Sequence, residues 1–196
     1  SETSDSILGP PSVGRWAYST AKAMAEILAV AYHEERGLPT ILVRFFNTVG
    51  PRQSPAYGMV IPRLVRQALA NEPVTVYGEG GQTRCFCHVA DVVDAIMALL
   101  DHPGAVGEMF NIGSDEEVTI LELARRVIDI AGSSSEIHLM PFDKAFQSNF
   151  EDIPRRVPDT SKIRALTGWR PTRDLDAILE ETIARTREEL RGSATR

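Results

Sequence analysis

Only two of the 196 residues are cysteine, and they stand one residue apart, at Cys85 and Cys87. Such a pair builds no disulfide framework, which points to a reducing, cytoplasmic setting. At most one of the two thiols is expected to face a core. His88 is adjacent, but no second ligand pair has metal-site spacing, so the cysteines read as structural and no metal is expected. No run approaches the roughly 20 apolar residues needed to span a bilayer, and no signal segment opens the chain, so a membrane is not an expected partner. Positive charge is also short. Lys and Arg number 21 against 27 Asp and Glu, a net charge of −6. Nucleic acid, which is bound through basic faces, is therefore not expected either. Internal repeats and low-complexity tracts are missing. What remains is an apolar content of 43% and a charged content of 24%, ordinary for a globular chain. The length suits one domain or one and a half.

The pattern alternates between strand-like and helix-like runs, which argues for an α/β chain. Residues 1–14 are polar and turn-rich. A helix is predicted over 16–36, stopped by Gly37-Leu-Pro39. The nearly all-apolar run 41–46 reads as a strand covered on both faces. A loop follows over 51–58, then a helix over 60–71. Strands at 74–77 and 84–88 flank Gly78, Gly80 and Gly81, which reads as a hairpin turn. A helix over 91–100 precedes a strand over 106–112. Thr119, with Glu122 three residues on, is the signature of a capping box, for a helix running to Ala131. A strand over 136–140, an irregular stretch over 141–158 and helices over 160–167 and 174–190 complete the chain. The tail from Gly192 is expected to be disordered.

Tyr18 and Lys22 stand four apart in Ser12-Val-Gly-Arg-Trp-Ala-Tyr-Ser-Thr-Ala-Lys22 and so share one helix face. A free phenol ionises near pH ~10, and bringing that to about 7 requires roughly 4 kcal/mol of differential stabilisation. A neighbouring ammonium supplies part of it, and a second positive charge could supply the rest. The pair is therefore a candidate base, or else simply an exposed Tyr and an exposed Lys.

Further segments follow in order: Thr40-Ile-Leu-Val-Arg-Phe-Phe-Asn-Thr-Val-Gly-Pro-Arg52, Val74-Thr-Val-Tyr-Gly-Glu-Gly-Gly-Gln-Thr-Arg84, His88-Val-Ala-Asp-Val-Val-Asp94, Pro158-Asp-Thr-Ser-Lys-Ile163 and Leu166-Thr-Gly-Trp-Arg-Pro171. Together with the Tyr-x-x-x-Lys pair they resemble the C-terminal part of the NAD-dependent epimerase/dehydratase family. These are extended short-chain dehydrogenase/reductases acting on nucleotide sugars. The resemblance runs from about Ser12 to about Glu189. The family's opening Gly-x-x-Gly-x-x-Gly turn, which lets backbone approach the cofactor pyrophosphate, has no counterpart here. The expectation is thus an α/β chain comprising the end of a Rossmann-type parallel sheet over 1–52, a nucleotide-sugar-binding domain mainly over 53–192 and a tail over 193–196. The N-terminal glycine-motif half would be absent, and the chain alone would not be expected to hold NAD or turn over substrate.

The resemblance implies roles residue by residue. Tyr18 would be the general acid/base, and Lys22 its electrostatic partner and a ligand of the nicotinamide ribose. Asn47 would contact the substrate diphosphate or sugar, and Arg84 would hold the diphosphate, its guanidinium suiting a bidentate role. Val74 and Tyr77 would lie beside the base. Tyr77 either stacks on that base or belongs to the core. Asp152 and Arg156 are the remaining substrate-binding candidates. The Arg that many sugar epimerases carry three residues before the Asp is replaced by Asn149. The pair Arg155-Arg156 and the stretch Gly132-Ser-Ser-Ser-Glu-Ile137 look closer to UDP-glucuronate decarboxylases. Gly58-Met-Val-Ile-Pro62 and Arg15-Trp-Ala-Tyr18 look more epimerase-like. The expected activity is that of an NAD-dependent nucleotide-sugar 4-epimerase. UDP-glucuronate decarboxylase and nucleotide-sugar 4,6-dehydratase are the enzymatic alternatives, and a non-catalytic nucleotide-sugar-binding module is the alternative of another class. The expected partners are a nucleotide-diphosphate sugar and, for the complete protein, a second copy in a homodimer through the Tyr-x-x-x-Lys helix and the helix preceding it, which this chain would lack.

Overall fold

The computed structural model describes residues 1–10, 13–54, 59–145 and 153–194. In chain order the elements are α1 (Arg15–Arg36), β1 (Leu42–Phe45), β2 (Thr48–Val49), α2 (Val60–Leu69), β3 (Val74–Tyr77), β4 (Thr83–Cys85), β5 (Cys87–His88), α3 (Val89–Leu100), β6 (Met109–Ile112), β7 (Glu117–Thr119), α4 (Ile120–Ala131), β8 (Ile137–Met140), α5 (Phe142–Ala145), β9 (Arg155–Arg156), α6 (Ser161–Thr167) and α7 (Leu175–Ala194). Strands pair in parallel as β1–β6, β2–β5, β3–β8 and β4–β9, and β4 also pairs antiparallel with β7. Parallel pairs need long crossovers, and helices supply them, which makes this an α/β chain.

Two apolar clusters hold the molecule. The first gathers Ile61, Leu64, Val65 and Ala68 of α2 with Leu123, Ala124 and Val127 of α4 and Leu175, Ile178, Leu179 and Ile183 of α7, over Val74 and Val76 of β3. The i, i+3, i+4 spacing puts each set on one helix face. Thr182 and Thr186 of α7 are buried as well. Their hydroxyls donate to Ile178 O and Thr182 O, both at 2.8 Å, so no polar atom there is left unpaired. The second cluster packs Val92, Ala95 and Leu99 of α3 and Ile163 of α6 against Phe110 and Ile112 of β6, with Trp169.

The helix expected over 16–36 is α1, and Gly37 closes it at φ 66, a left-handed conformation that costs glycine little. Thr119 caps α4, its hydroxyl accepting from Glu122 N–H at 3.1 Å. The reciprocal half of the capping box does not form. The Glu122 carboxylate instead faces Arg126 Nε at 3.4 Å.

Four expectations need correcting. Strands β3 and β4 form no hairpin; they join different sheets, and the link turns at Gly78 and Gly80, with φ of 66 and 73. The run 41–46 is not covered on both faces, because Phe45 is 51% exposed. Helix α1 meets β1 through polar contacts while its apolar stripe points away. Cys85 and Cys87 are both fully buried, since residues two apart share a face of extended chain. Burial pushes their thiols up to about 11 and about 12 respectively, so both stay protonated and unreactive at neutral pH. Finally, α7 continues past Gly192 to Ala194. Among the described residues no helix is long and apolar enough to cross a membrane.

Candidate functional site

Helix α1 runs antiparallel to β1. Arg44 of β1 pairs with Glu26 of α1 through two contacts of 2.7 Å, and Thr40 Oγ1 donates to Ala29 O at 3.4 Å. Arg44 thereby ties β1 to α1. Its hydrogen bonds hold the Glu26 carboxyl below the usual carboxylate range. Back along α1 from Glu26, Tyr18 lies about 12 Å away at ~1.5 Å per residue. Forward along β1 from Arg44, Asn47 lies up to about 10 Å away at ~3.3 Å per residue. Both are therefore carried to the carboxyl end of the β1–β6 pair, where open α/β sheets bind ligands. Tyr18 is 71% exposed, and Lys22 Nζ lies 5.4 Å from the centre of its ring. The two do share a face.

Asn47 stands between β1 and β2 with φ 40. Asn is among the few non-glycine residues that adopt this conformation readily. The bend aims its amide at two other segments. Nδ2 donates to Cys85 O of β4 at 2.6 Å, and Oδ1 accepts from Arg156 of β9. In the β4–β9 ladder Arg84 sits opposite Arg156. Arg84 Nη1 donates to Thr83 O and to Ile153 O, each at 2.7 Å. The fold thus brings Asn47, Arg84 and Arg156 together from three segments distant in sequence. A guanidinium pair beside an amide is suited to an anion with several oxygens.

The other candidates stand elsewhere. Val74 is fully buried in the first cluster, and its N–H donates to Glu136 O at 2.9 Å. Tyr77 is half-buried, and one face of its ring carries the Arg63 guanidinium, 4.4 Å from the centroid. Arg63 Nη1 donates to Thr75 O at 2.7 Å, and burial pushes the Arg63 guanidinium below its ordinary range. A base stacking on Tyr77 would therefore have to use the opposite face. Asp152 lies outside the described residues, as do Ser12, Asn149 and Gly58 of the quoted motifs. A groove of about 810 Å³ lined by Leu28, Tyr32, Leu38 and Pro39 lies at the far end of α1 from Tyr18, away from all these groups.

Sequence reasoning missed two structural devices. His88 Nδ1 accepts from Ala90 N–H at 3.1 Å and so caps α3. Its Nε2 lies 3.0 Å from Glu181 of α7. Asp91 is buried and accepts from Thr172 Oγ1 at 2.7 Å, Arg173 Nη1 at 2.8 Å and Arg173 N–H at 3.2 Å. Its motif neighbours had marked it only as part of a resemblance.

The chain is thus an α/β protein with a Tyr-Lys pair exposed on α1 and two arginines of the β4–β9 ladder beside Asn47. The profile of the NAD dependent epimerase/dehydratase family matches residues 2–113, and the chain belongs to that family. It is 41% identical over 189 residues to the UDP-N-acetyl-alpha-D-glucosaminuronate decarboxylase of Bacillus cytotoxicus, covering 96% of this chain and 58% of that protein. It is 37% identical to UDP-glucuronic acid decarboxylase 1 of Xenopus tropicalis, covering 92% of this chain and 41% of that protein. Among solved structures it is similar to UDP-glucuronic acid 4-epimerase from Bacillus cereus in complex with UDP-glucuronic acid and NAD. There the TM-score is 0.80 at 27% identity, covering 96% of this chain and 59% of that one. The chain thus spans about half the length of the curated relatives it matches.

Proposed function

We propose that this protein acts in NAD-dependent decarboxylation of a UDP-hexuronate, with Tyr18 and Lys22 at the chemical step and Arg84, Arg156 and Asn47 on the diphosphate. The observation that carries the reading is the Arg84–Arg156 pair beside Asn47, a site built for a multiply charged anion. The narrowing to decarboxylation replaces the expected 4-epimerase. It is supported by the 41% and 37% identities to relatives named as decarboxylases and by the paired arginines before Pro158.

The residues described fit one end of a dinucleotide. Tyr18 and Lys22 present a hydroxyl and an ammonium from one exposed helix face, as a nicotinamide ribose requires. The glycines at 78, 80 and 81 lead into β4, not into a helix, and so do not match a pyrophosphate turn. Tyr18 and Lys22 would hold the nicotinamide ribose of NAD, which would supply a reversible hydride acceptor for the sugar carbinol carbon. Tyr18 accepts the proton of that carbinol hydroxyl as general base, with Lys22 Nζ 5.4 Å from the centre of its ring. The keto group so formed lies β to the hexuronate carboxylate. The bond to the carboxyl carbon then breaks, its electron pair moves into the carbonyl as an enolate, CO2 leaves, and a proton returns to the carbon.

The test is to incubate protein expressed from its own gene with NAD and UDP-glucuronate or UDP-N-acetylglucosaminuronate, and to weigh the product. Loss of CO2 is the expected result. An isobaric product would return the epimerase, loss of water would return the dehydratase, and tight binding without conversion would return the non-catalytic module. Arg84→Ala is expected to weaken UDP binding about tenfold to a hundredfold, the range for losing hydrogen bonds to a charged group, while uridine binding stays within about twofold. Calorimetry on both ligands decides it, and an unchanged UDP affinity rejects Arg84 as a diphosphate ligand. Self-association belongs to the same reading. Met24, Ile27, Leu28 and Tyr32 form an exposed apolar stripe on α1, the kind of surface a partner covers. Light scattering that finds a monomer at every concentration would reject the homodimer.

A further inference from the structure

Strand β9 has two residues, and both are arginine. So short a strand holds no register by itself, and a slip of one residue exchanges the side chains on its two faces. Either arginine is chemically able to sit beside Asn47. The two faces of β9 therefore need something else to tell them apart.

On one face stands Glu117 of β7. It takes Arg155 in a bidentate pair, Nε to Oε1 at 3.0 Å and Nη2 to Oε2 at 2.9 Å. It also accepts from Thr83 Oγ1 of the central strand β4 at 2.5 Å. One carboxylate thus spans all three strands of the β7–β4–β9 sheet. On the other face Arg156 donates to Asn47 Oδ1. The backbone agrees with this register: Thr83 N–H donates to Pro154 O at 2.8 Å. The hydrogen bonds from Arg155 and then from Thr83 hold the Glu117 carboxyl below the usual carboxylate range, so it is ionised at neutral pH. An exposed ion pair contributes little to global stability. Choosing between two registers of a two-residue strand requires little.

We propose that Glu117 is a positioning residue of the anion site: its clamp on Arg155 sets the register of β9 and so presents Arg156 to Asn47 and to the diphosphate of a nucleotide sugar. The inference rests on the nucleotide-sugar reading above. It gives the second arginine of the pair a task distinct from the first, and it makes a residue with no ligand contact a determinant of diphosphate affinity.

The test uses protein expressed from its own gene, parent and Glu117→Gln, titrated with UDP and with uridine, together with hydrogen exchange at the Thr83 amide. Glu117→Gln is expected to weaken UDP binding about tenfold, to leave uridine within about twofold, and to lower Thr83 protection. The reversed pair, Glu117→Arg with Arg155→Glu, is expected to restore UDP affinity to within about threefold of the parent, as a pairwise coupling requires. An unchanged UDP affinity in Glu117→Gln, an equal loss for uridine, or a reversed pair no tighter than the single variant each overturns the proposal. If the parent binds no UDP, the nucleotide-sugar reading falls instead. The clamp is then judged by exchange alone, and unchanged Thr83 protection overturns it.

Discussion

Tyr18→Phe is expected to lower turnover of a UDP-hexuronate about a thousandfold while leaving the affinity for that substrate within about threefold. A positioned acid/base contributes ~10²–10⁴ in rate, and it acts in the transition state, so its loss falls on kcat. The substitution removes one hydroxyl from a side chain that is 71% exposed and leaves the helix face intact. The proposed anion site, Asn47, Arg84 and Arg156, lies on other segments and is expected to be undisturbed. Turnover and the dissociation constant are measured side by side on protein expressed from its own gene. Retained turnover removes Tyr18 from the reaction. Equal losses in turnover and affinity assign it to binding instead.

The second large effect is on stability. Asp91→Ala is expected to cost about 2–4 kcal/mol, from three lost hydrogen bonds of which one comes from a charged donor. Asp91 is 1% exposed and ties the first turn of α3 to Thr172 and Arg173, which lead into α7. A nearby contact survives the change, because Trp169 Nε1 donates to the backbone oxygen of Asp91 at 3.0 Å. For a chain of this size the cost corresponds to a midpoint roughly 5–15 °C lower. Thermal unfolding by circular dichroism measures it. A shift under about 2 °C would show that the latch contributes nothing. Asp91→Asn should lose less, since its amide oxygen still accepts from Thr172.

How much of this was legible in the sequence depended on how local the cause was. Helix α1 announced itself through a long apolar period and the Gly37 stop, and α4 through Thr119 at its cap. Strands β3 and β8 were found because their residues alternate or cluster over four positions. Strand β9 was not, since two arginines between prolines carry no strand signal, and its partner Arg84 lies far upstream. The strand β7 was missed for the same reason of length. The glycine turn after Tyr77 looked like a hairpin because the local chemistry of a hairpin and of a sheet-to-sheet crossing is the same. Which strands then pair is settled by burial of Val74 and Val76 beneath α2 and α4. The Tyr18–Lys22 pair was visible because four residues make one helix turn.

By itself the sequence determined the long helices, the four-residue strands, the α/β class and the family, because periodicity, caps and motif spacing act within a few residues along the chain. Only the tertiary structure decided that Asn47 bends to receive Arg156, that Glu117 holds Arg155 away from it, that Val74 is core and that Asp91 is a latch. Each of those depends on side chains brought together from distant segments by parallel pairing, and pairing is chosen by how the two apolar clusters close, which no local pattern encodes.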